Sequence, residues 1–466
     1  MRTTRKRQKK PKQIINSSPV VKKSRRTRAK VYTITPVSNT HNIRQTEGLT
    51  LKAYVGDGSI LLVYNLDSTL TRNLAGFAIQ CTPSSGQPYI IQNRINFRTN
   101  YTSHTTAVQR VWTPSTIAPI QKFSWLDILK SIDPVSYSYQ VTALYFVDEN
   151  TSDVKPGAKA VVTVQKNSLS FENLKIGFTR GYLSSQAYSE NFHNAPIQPS
   201  GPKTVGYDTT PYEKQYEWLG YHARELIFNF LDECIADKSI TVDVFAFDLD
   251  EPDIIRRFVK LGSRLRLFLD NASLHVGPHA IEPQVQALIK KSAGSNNVQS
   301  GHFKRFAHNK VIIQKQNDKP IKVLTGSTNF SIRGLYVQSN NVLVFNDSVV
   351  ADLYEQAFQE AFINMNKFSS SQIASRWFDV NNEKGLPSLS VAFSPHSTYH
   401  VSLDKVAAAV ENAKSSVLFA IMQLSGTGPV MDAIKNLHQR KTIFTYGVTQ
   451  SEGGDVNVFP PGSSNG

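Results

Sequence analysis

His308 and Lys310 stand two residues apart, and Ser327 and Asn329 repeat that spacing behind Gly326. On an extended chain residues i and i+2 project from one face, so each pair offers two polar groups to the same side. An imidazole with an ordinary pKa of ~6.5 can attack phosphorus or carry a proton, while an ammonium, an amide and a hydroxyl can hold phosphoryl oxygens as charge redistributes. These residue types suit phosphodiester chemistry without a metal. A His-x-Lys pair by itself is usually a solvated strand face. Here apolar strands flank it and a Gly-Ser-x-Asn element follows at hairpin distance. A hairpin turning at Asp318-Lys319 sets His308 opposite Asn329 and Lys310 opposite Ser327, bringing four polar side chains to one end of an apolar hairpin. Asn317-Asp318 is the alternative turn, and Pro320 must then tolerate a strand edge.

Something must hold that hairpin. Leu219, Ala223, Leu226, Phe230 and Cys234 step by three or four and predict an amphipathic helix. A strand (240–247), a helix (253–261), a strand (264–269) and a helix (281–291) follow, and this alternation predicts a mostly parallel sheet covered on both faces. A second round begins near Ser402, where SLDKVAAAVENAKSS, VLFAIM, PVMDAIKNL and KTIFTYGV repeat the helix-strand order. Ahead of both rounds, Tyr137, Tyr139, Val141, Ala143, Tyr145 and Val147 alternate with mostly polar neighbours. With LTLKAYV, SILLVYNL, LAGFAIQCT, YIIQNRINF and AKAVVTVQ they predict an all-β sandwich, similar in pattern to fibronectin or immunoglobulin domains.

His-x-Lys followed by Gly-Ser-x-Asn resembles the signature of the phospholipase D superfamily, matched at His308, Lys310, Gly326, Ser327 and Asn329. GLYVQSNN (Gly334–Asn341) is similar to the segment after the first motif in bacterial members, and the resemblance covers about residues 211–449. It implies a multidomain chain whose sandwich precedes an α/β phospholipase-D-like fold of one full repeat and a partial second. It also implies a metal-independent phosphodiesterase. His308 becomes the nucleophile that forms a phosphohistidine, Lys310 and Asn329 bind phosphate with Ser327, and a histidine from a second repeat protonates the leaving oxygen.

The sequence departs from the family pattern twice. Lys315 stands where the pattern has an acid, so the carboxylate orienting the imidazole is open among Asp248, Asp250 and Asp318, although a strand-end carboxylate is ordinarily solvated. No second His-x-Lys follows in the later round. The interval from Val242 to His308, carried forward to Val417, passes beyond Gly466. The expectation is a piece of a longer two-motif enzyme, with a homodimer sharing His308 as the alternative. GSSN (Gly462–Asn465) has no histidine-lysine arm before it, and His302-x-Lys304 has no Gly-Ser-x-Asn partner at symmetric distance. His275 and His279 are spaced like metal ligands, but Gly277 and Pro278 between them read as a loop, so no metal and no cofactor is expected.

Composition bounds the rest. The 466 residues carry 52 Lys+Arg against 36 Asp+Glu, net +16. Thirteen of those bases and no acid fall within residues 1–30, so the remainder is close to neutral. Such a leader cannot bury enough apolar surface to fold alone. It reads either as a salt-sensitive contact with nucleic acid or an anionic membrane surface, or as a solvated tail without a specific partner. No stretch approaches the ~20 apolar residues of a membrane span, and the N-terminus lacks a secretory h-region, which gives a cytoplasmic expectation. Cys81 and Cys234 are too far apart for a zinc or thiol redox motif and read as small core residues. The expected layout is a basic leader over 1–31, a sandwich over 47–165, a linker over 166–210, a first phospholipase-D-like round over 211–376 and a partial second over 385–466. The expected function is hydrolysis of nucleic-acid or phospholipid diesters, with a lean to nucleic acid. The alternative is a catalytically incomplete scaffold whose sandwich binds a partner.

Overall fold

Alternation of apolar and polar residues builds the first part of the chain. In β3 (Ser59–Leu66), Ile60, Leu62, Tyr64 and Leu66 are buried while Leu61 and Val63 face outward. The computed structural model describes residues 43–449 except 98–101, 103–104, 106–108, 110, 130–135, 149–150, 166–170, 202–203, 278–279, 382, 399 and 422–425. The basic leader, His279 and the terminal GSSN lie outside the described residues. β1 (Ile43–Thr46), β2 (Leu49–Val55), β3 and β8 (Ser124–Ile128) form one antiparallel sheet, ordered β1-β2-β3-β8. β4 (Leu74–Pro83), β5 (Tyr89–Ile90), β9 (Ser136–Phe146) and β10 (Val154–Gln165) form a second, ordered β10-β9-β4-β5. Leu49, Leu62, Phe77, Ile79, Cys81, Val141 and Val162 from the two sheets share one core. YIIQNRINF gives only β5 and β6 (Gln92–Asn93), which pairs with β7 (Thr113–Pro114). The alternation along β9 ends early. A register shift opposite Leu144 and Tyr145 puts Leu144 inside and leaves Val147 half-exposed.

The segment expected as a linker over 166–210 contributes structure of its own, β11 (Leu174–Phe178) and α1 (Gln186–Phe192). β11 is the edge of a seven-stranded sheet ordered β11-β17-β16-β15-β12-β13-β14. The remaining strands are β12 (Ile240–Ala246), β13 (Leu265–Asp270), β14 (Val298–Gly301), β15 (Lys310–Gln316), β16 (Lys319–Gly326) and β17 (Asn341–Phe345). The expectation of a mostly parallel sheet is corrected here. Only β12-β13 and β13-β14 run parallel, and the other four neighbours are antiparallel. Helical crossovers α3 (Pro252–Leu261) and α4 (Glu282–Ala293) impose the parallel pairs. No helix intervenes between β14 and β15, so β15 returns antiparallel beside β12.

Both faces of this sheet are covered. α2 (Glu213–Ala236), α3 and α4 share a core with Val242, Val244, Leu267, Ile312 and Cys234. α6 (Ser348–Asn364) packs with Phe245, Phe268, Val311, Ile313 and Val323 on the other face. Neighbouring Ile312 and Ile313 are each fully buried on opposite faces, which is why the strand reads as an unbroken apolar run. α5 (Ile332–Tyr336) closes the end of β16, and β18 (Phe378–Val380) pairs with β19 (Leu389–Val391). The later round then gives α7 (Val401–Glu411), β20 (Ser416–Ile421), α8 (Pro429–Lys435) and β21 (Phe444–Thr449), with β20 parallel to β21 as β12 is to β13. No helix among the described residues is long and apolar enough to cross a membrane.

The motif hairpin has a register of its own. Its turn is Asn317-Asp318, both at positive φ (51° and 61°), and not Asp318-Lys319. Ile312 faces Leu324 and Gln314 faces Lys322, and a bulge at Ile321 then sets Lys315 opposite Pro320. Pro320 is tolerated because β17 pairs with β16 only from Val323 to Gly326. Neither His308 nor Asn329 belongs to a paired strand, so the expected facing of His308 with Asn329 and of Lys310 with Ser327 does not form.

Candidate active site

The last pair of the β12-β15 ladder is Ala246 with Lys310. Past Ala246 the chain runs through Phe247 and Asp248 to Leu249, which bridges to Phe330, while Phe330 O accepts from the Asp250 and Glu251 N–H groups. That crossing sets Asp248 beside Asn329. Asn329 Nδ2 donates to Asp248 Oδ2 at 2.7 Å. Gly334 makes room for Asn329, because a side chain at Gly334 would meet Asn329 backbone and Cβ.

From Asp248 the contacts continue to the neighbouring strand end. Asp248 Oδ1 lies 2.8 Å from His275 Nε2, and His275 Nδ1 lies 2.7 Å from Asp270 Oδ1. Asp270, the last residue of β13, also accepts from the Ala272 and Ala307 N–H groups, at 2.9 and 2.5 Å. Ala307 precedes His308, so Asp270 anchors the loop that carries the imidazole. Phe247 sits among the three bases. Its ring meets His308 edge-on at 4.3 Å and His275 at 4.5 Å, and the Lys310 ammonium lies 4.8 Å from its centre. Lys310 Nζ donates to His308 O at 2.7 Å.

These surroundings set the charges. Burial pulls the Lys310 ammonium down to about 7, with Asp248 and Asp270 acting against it. Burial, and then the Lys310 charge, hold His308 below the usual imidazole range, which favours the neutral ring. Burial also works against charge on His275, but its bonds to Asp248 and Asp270 outweigh it and lift the ring to about 9. Asp270 is held below its ordinary value, because the His275, Ala307 and Ala272 donors overcome the cost of burial. Burial pushes Glu282, in the first turn of α4, upward. Among the described residues Asp248, His275 and Glu282 bring potential metal-ligand atoms within 4.8 Å of one another. Here His275 Nε2 is hydrogen-bonded to the Asp248 carboxylate at 2.8 Å.

Of the residues singled out in the sequence, His308, Lys310, Asn329 and Asp248 come together. Ser327 is exposed in the loop after β16, where its Oγ accepts from the Asn341 N–H. Gly326, at φ 140°, makes that crossing possible, since a side chain there would strike Asn341 O. Asp250 accepts from the Ile332 N–H at the start of α5. Asp318 lies in the hairpin turn at the far end of β15 from Lys310. Lys315 occupies a buried ionic cluster with Asp243, Glu355 and Arg266. Asp243 is matched there by two cations, so Lys315 trades charge with the neighbouring strand. His302 is exposed and bonds Asn271. Sequence reasoning missed Asp270 and Phe247, and weighed His275 only as a metal ligand paired with His279. The available signal was Asp270 closing the apolar run LRLFLD, with a histidine five residues on.

Residues 231–362 match the family model described as the cardiolipin synthase, PLD-like domain, a stretch from α2 to α6 that contains all the site residues above. The class defined by fold and site is therefore a phospholipase-D-like α/β domain at that position in the chain. No curated protein matches the chain. Among solved structures it is similar to Nuc from Salmonella typhimurium, a phospholipase D family member, at 23% identity over 30% of this chain and 85% of that one, TM-score 0.25. It is also similar to NucT from Helicobacter pylori, at 17% identity over 30% and 89%, TM-score 0.24. Yeast tyrosyl-DNA phosphodiesterase follows at 12% identity over 45% and 58%, TM-score 0.27.

Proposed function

We propose that the chain is a phosphodiester hydrolase of the phospholipase D type with His308 as nucleophile. The observation that carries this reading is a neutral, exposed imidazole beside a buried ammonium, both against Phe247 and within reach of the Asp248–Asn329 pair. In the first step His308 forms a P–N bond as the P–O bond to the leaving group breaks. Lys310 and the second Asn329 amide hydrogen hold the phosphoryl oxygens, and the leaving oxygen takes up a proton. In the second step water forms a new P–O bond, the P–N bond breaks, and the proton lost by water goes to the group that served as acid. That group is assigned to a second histidine, from a further motif or from another copy of the chain. Activity and molar mass measured on the same sample separate the two.

An open cleft adjoins the site, lined among others by His308, Lys310, Thr325, Tyr354, Phe358 and Phe393. Its lining is mixed, with Phe245, Tyr354, Phe358 and Phe393 beside the polar His308, Asn309, Lys310 and Thr325, so it can take a substituent with both polar and apolar groups. The reading leans to nucleic acid over phospholipid as substrate, although the basic leader suits either nucleic acid or an anionic membrane surface. Turnover of bis-p-nitrophenyl phosphate tests the reading. Activity that is insensitive to EDTA and lost in His308→Asn supports it, and full activity in His308→Asn overturns it.

A further inference from the structure

His275 belongs to no motif, yet both of its ring nitrogens meet carboxylate oxygens, at 2.7 Å from Asp270 and 2.8 Å from Asp248. An ionised carboxylate can only accept, so both bonds exist only while the ring carries two N–H protons. The ring is 5% exposed, and Phe247 covers it at 4.5 Å. Charged and titratable groups face it from every side. Asp270 comes from the end of β13, Asp248 from the segment after β12, Glu282 from α4, and His308 with Lys310 from the start of β15.

We infer that His275 is a positioning residue for the site proposed above, fixing Asp248, and through it the Asn329 amide, in one hydrogen-bonded chain that starts at Asp270. The inference rests on the phosphodiesterase reading for its kinetic consequences and on the geometry alone for its structural ones. A ring that loses one proton keeps one bond. Asp270 is completely buried and also holds the Ala307 N–H, whereas the Asp248 side chain is 27% exposed, so the bond to Asp248 is the one released. Asn329 then loses its fixed partner while His308 and Lys310 stay in place. Binding survives and turnover falls. Hydrogen bonds to charged groups of this kind correspond to about 10–100-fold in rate.

The test combines kinetics with a spectroscopic readout. In the wild-type chain at saturating substrate, where the bound phosphodiester anion keeps Lys310 charged, kcat falls as pH rises through about 9. His275→Ala lowers kcat about 10–100-fold with KM little changed, removes that alkaline limb, and is rescued by added imidazole but not by the weakly basic 1,2,4-triazole. Unchanged kcat in His275→Ala, or equal rescue by triazole, overturns the inference. Should that variant fail to fold, 15N NMR of the wild-type ring decides. Two N–H signals at pH 8 support the inference, and a neutral single-tautomer ring refutes it. A wild-type chain inactive on every diester would instead sink the phosphodiesterase reading, and the NMR result would still stand.

Discussion

Replacing Lys310 by methionine should stabilise the protein while disabling it. Lys310 is 5% exposed, and burial brings its pKa from 10.5 to about 7. Each pKa unit is worth about 1.36 kcal/mol, so the fold opposes the charged form by up to about 5 kcal/mol. Below pH 7 the amine is charged in both folded and unfolded chains, and the whole cost weighs on the fold. Between pH 7 and 10.5 the folded chain releases the proton while the unfolded chain keeps it, so this contribution to stability improves with pH. Methionine keeps the length of the stem, removes the charge and gives up the bond to His308 O, worth about 1 kcal/mol. Lys310→Met is therefore expected to be more stable than wild type by about 3–4 kcal/mol at pH 6, with the gap closing above pH 10. Urea unfolding followed by circular dichroism at both pH values reads the difference. Turnover in the same variant should drop by about 10²–10³-fold, because the charge that faces the phosphoryl oxygens is gone. A Lys310→Met protein less stable than wild type at pH 6, or a gap that does not change with pH, would refute the placement of a costly buried ammonium at this site.

Further outcomes follow from the same charges. For the free protein, kcat/KM should rise with pH as His308 loses its proton below the ordinary ~6.5, then fall as Lys310 discharges near 7, giving a narrow bell in a pH-rate series. Asp243→Ala strips Lys315 and Arg266 of their most buried partner and should destabilise the fold by about 3–5 kcal/mol in chemical denaturation. Wild-type stability in that variant would mean the cluster contributes nothing net. Deleting residues 1–30 should flatten the salt dependence of binding to DNA or RNA and leave turnover of a small soluble diester unchanged. An unaltered salt slope would make the leader a solvated tail.

Several parts of this arrangement were legible from the sequence because they obey local periodicities. The alternation along SILLVYNL buries Ile60, Leu62, Tyr64 and Leu66 in β3, and the 3.6-residue stripe of α2 buries Leu219, Ala223, Phe230 and Cys234 while leaving Leu226 partly exposed. The hairpin register was not legible, since the left-handed Asn317-Asp318 turn and the bulge at Ile321 shift the pairing without marking the apolar pattern. Sheet direction failed for a related reason. The alternation of strands and helices ends at β14, and a loop in place of a helix reverses β15. Lys315 looked like a defect in the motif, yet its partner was visible as Asp243, an acid in the apolar strand ITVDVFA. His275 was hidden because its two partners lie 27 residues before it and 5 residues before it in the chain, on different strand ends. Only the sheet brings them together, and the Gly277-Pro278 that follows it marks a loop and says nothing of chemistry.

The central claim is that His308 takes the phosphoryl group, and a covalent trap tests it most directly. Labelled diester mixed with excess protein and quenched in alkali within one turnover should leave phosphate on a single peptide containing His308. That label should be lost on acid treatment and absent in His308→Asn. Label on another residue, or steady turnover in His308→Asn with no labelled peptide, would contradict the account.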